Sequence, residues 1–129
     1  LLAKDIMLVG KKIPIINYKK KFKEALREMN KKKLGTVVIT RKQYIKGLLT
    51  DGDLRRGMKS FSNNQNLLEI MTQRPLVVNE NMPASKALGL MNEKKITSLL
   101  VVSDKDYKKN NKKLKGIIHI HSLLENGIK

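Results

Sequence analysis

The sequence predicts an α+β fold in which two pseudo-twofold-related copies of one β-α-β-β-α unit pack as one module. Three observations carry this expectation. The first is an internal repeat. Laid over one another, EALREMNKKKLGTVVIT (24–40) and KALGLMNEKKITSLLVV (86–102) pair Ala25, Leu26, Met29, Asn30, Lys32 and Lys33 with Ala87, Leu88, Met91, Asn92, Lys94 and Lys95. Upstream, KDIM (4–7) matches LEIM (68–71) and Pro14 matches Pro75; downstream, IKGLLTDGDL (45–54) matches LKGIIHIHSL (114–123). Agreement of this density along the chain marks a duplicated unit. The second observation is a helical stripe that occurs twice. Phe22, Ala25, Leu26 and Met29 fall at i, i+3, i+4 and i+7, and Ala84, Ala87, Leu88 and Met91 repeat the pattern after Pro83, a residue suited to a first helical turn. The third is a pair of short, continuous apolar runs, TVVIT and SLLVV, as expected for strands buried on both faces.

Taken in order, each copy reads strand, helix, strand, strand, helix. The opening strand precedes the helical stripe, where KIPIIN and RPLVVN match; YIKGLLT and KLKGIIH supply the last strand, DLRRGMK and SLLENGI the last helix. The spacing between matched residues grows from about 62 to about 69 across SDKDYKKNNKK (103–113), so the second copy carries a loop insertion there. The copies are 1–64 and 65–129, with the boundary between Asn63 and Asn66. Roughly sixty residues bury too little apolar surface to stand securely alone, so the two copies are expected to share an interface.

At 129 residues and 40% hydrophobic content the chain suits a globular protein. No run of 18 apolar residues crosses a membrane, and LLAKDIMLVGKK lacks the order of a secretory signal. The absence of cysteine excludes disulfides, thiolate metal sites and cysteine nucleophiles, and a cytoplasmic location is expected. Lys and Arg number 28 against 11 Asp and Glu, a net charge of +17, which raises nucleic acid as a partner. The lysines, however, fall in three blocks at predicted helix ends and in one loop, and 4% aromatic content offers no stacking platform. No specific nucleic-acid binding is expected, although the positive field concentrates phosphorylated ligands. No Ser/His/acid set, P-loop or isolated carboxylate pair emerges, so this chain alone is not expected to be an enzyme.

A duplicated strand-helix-strand-strand-helix unit, an Ile-Met at each entrance, and Gly-x-x-Thr-x-x-Asp at Gly47, Thr50 and Asp53 together resemble the tandem CBS domain, or Bateman module, over essentially the whole chain. Within that family, TDGDLRR after IKGLLT, with KDIM, KKLGTVVI, ITSLLVV and GIIHIHSLL, looks like the C-terminal CBS pair of arabinose-5-phosphate isomerases. Those enzymes join an N-terminal sugar-isomerase (SIS) domain to the pair. The resemblance implies a regulatory half lacking its SIS domain and needing no cofactor. Its parent interconverts ribulose 5-phosphate and arabinose 5-phosphate for Kdo and for lipopolysaccharide or capsule. It further implies a nucleotide or nucleotide-sugar effector, CMP-Kdo foremost, and a homo-oligomeric, tetrameric parent built on dimers of CBS pairs. A ligand-free oligomerisation module and an adenine-nucleotide-binding pair are the alternatives.

The candidate site centres on TDGDLRR. Thr50 and Asp53 have the spacing of a capping box, in which each side chain serves the other residue's amide. The same geometry suits a ligand: free N–H groups at a helix start attract phosphate, Thr50 adds a hydroxyl, and Asp53 can accept two hydrogen bonds from a ribose diol, the roles the family resemblance implies. Gly47 permits close approach of backbone or ligand. Asp51 is read as a cap or a partner of Arg55. Arg55 and Arg56 leave the helix about 100° apart, so one can reach a carboxylate or phosphate while the other is solvated or at a subunit contact. In the second copy His119 and Ser122 replace Thr50 and Asp53, which removes the diol acceptor. His119 and His121 lack a third ligand nearby, so no metal is expected; one imidazole donates to a ligand, or both lie at a surface or interface. Thr36, Thr97 and Ser98 line the cleft or simply begin their strands. Were capping the whole role of Thr50 and Asp53, both copies would be expected to keep a cap, and the loss in the second argues for a ligand at the first.

Overall fold

A computed structural model describes residues 1–57 and 61–129, with every side chain except that of Arg56. Its residues gather into two compact units, Ile13–Pro75 and Leu1–Lys12 with Leu76–Lys129.

In the unit Ile13–Pro75, β1 (Ile15–Asn17), α2 (Phe22–Lys32), β2 (Thr36–Arg41), β3 (Tyr44–Thr50) and α3 (Asp51–Gly57) follow the expected order. The short α4 (Leu67–Ile70) and β4 (Thr72–Gln73) come after them. The sheet runs β1-β2-β3-β4, parallel at its first pairing and antiparallel at the other two. Lys42 and Gln43 join β2 to β3 with φ of 48° and 74°, the paired positive φ of a type I′ hairpin turn. Phe22, Ala25 and Met29 of the helical stripe are buried against Val37, Ile39, Leu49, Leu54 and Leu67, with Leu26 packed at the margin. Val37, Ile39 and Leu49 thus face the helices, and by strand alternation Thr36 and Thr50 share the opposite face.

The second unit repeats this plan. It contains α1 (Ala3–Ile6), β5 (Val77–Asn79), α5 (Ala84–Lys94), β6 (Ser98–Val102), β7 (Gly116–His119) and α6 (Ile120–Glu125), with sheet order β5-β6-β7. Ala84, Ala87, Leu88 and Met91 pack on Leu99, Val101, Ile118 and Leu123. The expected insertion is the segment between Val102 and Gly116, and it is built around Asp106. The buried Asp106 carboxylate accepts the Lys113 N–H at 2.9 Å and pairs with Lys109 at 3.3 Å. Those contacts, the Lys113 amide foremost, hold its carboxyl below the ordinary carboxylate range. The Lys112 ammonium donates to the carbonyls of Asp106, Tyr107 and Lys109. At the loop's base Glu80 accepts from the Asp104 N–H at 2.8 Å and from the Lys115 ammonium, and the Lys115 contact chiefly lowers its pKa.

The sequence copies and the compact units divide the chain differently. Residues 1–12 fold with the second copy, and residues 65–75 fold with the first. In one unit Leu2 bridges Pro83 and Leu8 bridges Ile117; in the other Lys21 bridges Asn66 and β4 pairs with β3. Two glycines explain the arrangement. A Cβ on Gly116 would overlap the Met7 thioether and come within 2.9 Å of the Leu8 carbonyl; on Gly47 it would overlap the Met71 thioether and come within 2.9 Å of the Thr72 carbonyl. Ile-Met at the head of one copy therefore packs onto the Lys-Gly strand of the other. The four-residue helices α1 and α4 that carry these methionines are absent from the sequence expectation, because one turn is too short to show a period.

Candidate functional site

Both units place their polar side chains where the last strand turns into the last helix. In the unit Ile13–Pro75, Thr36 and Thr50 are direct partners across the β2/β3 ladder. The buried Thr36 hydroxyl donates to the Leu49 carbonyl at 3.1 Å. The Thr50 N–H donates to Asp53 Oδ2 at 3.0 Å, and the Asp53 N–H donates to Thr50 Oγ1 at 3.2 Å. This is the complete reciprocal capping box, so the spacing of Thr50 and Asp53 has a structural role. It leaves the Thr50 hydroxyl proton unused by the box, because that oxygen is the acceptor.

The neighbours sort themselves around this box. Asp51 is exposed, and its N–H donates to the Gly35 carbonyl at 2.9 Å. Its carboxylate lies over Gly35, where φ is +71° and an added Cβ would stand 2.8 Å from Asp51 Oδ2. Among the described residues no ion pair joins Asp51 to Arg55; as the first residue of α3, Asp51 meets the positive helix end instead. Arg55 is exposed, and the side chain of Arg56 lies outside the described residues. The space beside Gly47 is filled by Met71 and β4, so the close approach it permits is that of the chain itself.

In the other unit Ser98 and His119 are the matching partners across β6/β7. The Ile120 N–H donates to the Thr97 carbonyl at 2.9 Å, as Asp51 does to Gly35, and Thr97 is itself exposed. His119 is 8% exposed, and its Nδ1 accepts the His121 N–H at 3.2 Å. The exposed His121 ring stands edge-on to it with centroids 4.6 Å apart. Burial, and then the neighbouring His121, push the His119 pKa below its ordinary value. The second copy therefore keeps a cap, made by a ring nitrogen in place of a hydroxyl. This corrects the expectation that it had lost one: an imidazole with a free Nδ1 lone pair takes the amide two residues on, where the Thr50 oxygen takes the one three residues on. The alignment of His119 with Thr50 was the available signal. Ser98 Oγ is, among the described residues, the buried side-chain polar atom left without a partner.

Comparison with known proteins agrees with this duplicated architecture. The profile of the CBS domain matches residues 3–60 and again 67–128. Arabinose 5-phosphate isomerase KdsD of Yersinia pestis is 39% identical over 127 residues, which cover 96% of this chain and 37% of that protein. An uncharacterized Rickettsia prowazekii protein, RP505, is 38% identical over 97% of this chain and 37% of its own length. The chain thus spans little more than a third of the curated relatives it matches. Among solved structures, that of CBSX2 in complex with AMP superposes with a TM-score of 0.80 at 21% identity, covering 98% of this chain and 95% of that one. With two profile matches over nearly all its residues and the fold of solved CBS pairs, this chain belongs to the CBS domain family and carries a pair of CBS units.

Proposed function

We propose that this CBS pair is the effector-sensing part of a cytoplasmic arabinose-5-phosphate isomerase, in which a SIS domain interconverts ribulose 5-phosphate and arabinose 5-phosphate. The observation that carries the reading is the 39% identity to KdsD along 96% of the chain. In this reading the pair has no catalytic role and binds a nucleotide or nucleotide-sugar at the Thr50–Asp53 junction. Thr50 donates its hydroxyl proton to a phosphate, Asp53 reads a ribose diol, and Arg55 or Arg56 meets a further anionic group. CMP-Kdo offers all three groups, and as an end product it would give feedback through its different affinities for two arrangements of the homo-oligomeric parent.

An adenine nucleotide is the second reading, supported by the AMP complex of the structurally similar CBSX2. Calorimetry of the chain with CMP-Kdo, CMP, AMP and ATP separates the two. CMP-Kdo is expected to bind best and to lose most of its affinity in Asp53→Ala, with circular dichroism checking that the variant, which also lacks half its capping box, is folded. An Asp53→Ala chain that binds CMP-Kdo like the parent overturns the site, and a preference for AMP overturns the ligand.

A further inference from the structure

The chain holds six methionines and no cysteine, so thioethers are its readily oxidised sulfur. Met29 and Met91, on the stripes of α2 and α5, are 2% and 1% exposed and so shielded from an oxidant in water. Met7, Met71 and Met82 are half-buried, and Met58 lies outside the described residues. Two of the half-buried three hold matched positions. The Met71 side chain fills the slot left open by Gly47, and the Met7 side chain fills the slot left open by Gly116. Met82 fills neither.

What each slot can hold decides the consequence of oxidation. A thioether is apolar and flexible, and it suits close packing on a strand backbone that carries no side chain at that point. In each slot the nearest backbone atom outside the glycine and its chain neighbours is a carbonyl oxygen, of Thr72 in one and of Leu8 in the other, 2.9 Å from the place of a Cβ. A sulfoxide oxygen accepts hydrogen bonds and donates none, so there it would face another acceptor and lose water without gaining a donor. Oxidation therefore drives the side chain out of its slot. Backbone pairing follows, because the next residue in each segment is tied to the same strand: Thr72 pairs with Leu48 and Leu8 bridges Ile117. Leu48 and Ile117 each stand two places before the end of their strand, at Thr50 and His119, so the release reaches the strand that carries each junction.

We propose that Met7 and Met71 are a matched pair of oxidation sites, at which a peroxide unlatches from each unit the short segment that carries the methionine. The sulfur takes one oxygen from the peroxide, the O–O bond breaks and water leaves; the sulfur is oxidised by two electrons and the peroxide reduced by two. A methionine sulfoxide reductase reverses the step, returning the thioether while two thiols become a disulfide and the oxygen leaves as water. The sites need no effector, so they stand or fall apart from the reading of the Thr50–Asp53 junction.

Hydrogen peroxide applied to the folded 129-residue chain, followed by peptide mass spectrometry, should place one oxygen on Met7 and on Met71 well before Met29 and Met91 are touched. The melting temperature should then fall by roughly 5–10 °C. In 1H–15N spectra the amide signals of Gly47, Leu48, Gly116 and Ile117 should move as the two sulfoxides accumulate. Methionine sulfoxide reductases A and B with dithiothreitol should restore both readings. A double variant, Met7→Leu with Met71→Leu, keeps the volume of both side chains and should hold its melting temperature under the same peroxide even as Met82 gains oxygen. Should that variant melt early before any oxidation, a chain made with norleucine for methionine, which keeps the shape and has no sulfur there, takes its place in the same comparison. Three results would each overturn the proposal. Met7 and Met71 could oxidise no faster than Met29 and Met91; both could become sulfoxides with the melting temperature and the Gly47 and Gly116 signals unchanged; or the chain without the two sulfurs could lose as many degrees as the parent.

Discussion

Thr50 and His119 occupy one position of the repeat and solve one problem, the unpaired amides at a helix start, with different atoms. A hydroxyl caps at any pH, whereas an imidazole caps only while Nδ1 is unprotonated. The His119 pKa is depressed in the folded chain, so its contribution is present above the ordinary value of about 6.5 and is lost as pH falls from there through the folded pKa. Urea unfolding is expected to lose about 1 kcal/mol of stability between pH 7.5 and pH 5.5, and His119→Asn should remove most of that slope. A parent slope that persists undiminished in His119→Asn would show that another group is responsible. Gly47 and Gly116 are equally specific. An added methyl at either overlaps a methionine side chain next to backbone, so Gly47→Ala and Gly116→Ala should each cost about 1–3 kcal/mol, and Met71→Ala should return part of the loss to the first and not to the second.

Helices α2 and α5 end alike, on Lys33 and Lys95 at φ of 60° and 57°, with each cap amide donating to a methionine carbonyl one turn back. A left-handed position disfavours any residue with a Cβ, and glycine is the usual solution. Lys95→Gly is therefore expected to raise the melting temperature by a few degrees, corresponding to about 0.5–1 kcal/mol, and an unchanged or lower value would contradict the cap geometry. The same elements show what the sequence reveals and what it hides. The stripes of α2 and α5 and the runs of β2 and β6 were legible because burial of one helical face, or of both faces of a strand, writes a period into the chain. The loop 103–113 was legible as an insertion only. Its anchoring on Asp106 and Lys112 depends on backbone groups, which every residue has and no sequence distinguishes.

The exchange of 1–12 and 65–75 between the two compact units makes a consequence of the whole chain testable. A fragment 1–64 is one complete sequence copy, but it lacks Leu67, Met71 and β4, which complete the unit around Phe22 and Gly47. A fragment 13–75 contains them. Both fragments are near the size at which a core alone is marginal, so the test is comparative: 13–75 should give a better dispersed NMR spectrum than 1–64, and equal or better dispersion of 1–64 would overturn the argument. The duplication, the α+β class, the order of the elements in each copy and the positions of both strand-to-helix junctions were all readable in one dimension, because apolar periods and matched motifs are properties of order along the chain. Three things were decided only in space: the pairing of Met7 with Gly116 and of Met71 with Gly47, the cap on the second helix, and the unmatched Ser98 hydroxyl. Two similar copies offer the same motifs twice, so the sequence holds no preference between partners, and the shape of the packed surfaces makes the choice. Whether a histidine caps a helix or greets a ligand depends on where one lone pair points, and that direction is set by the fold around it.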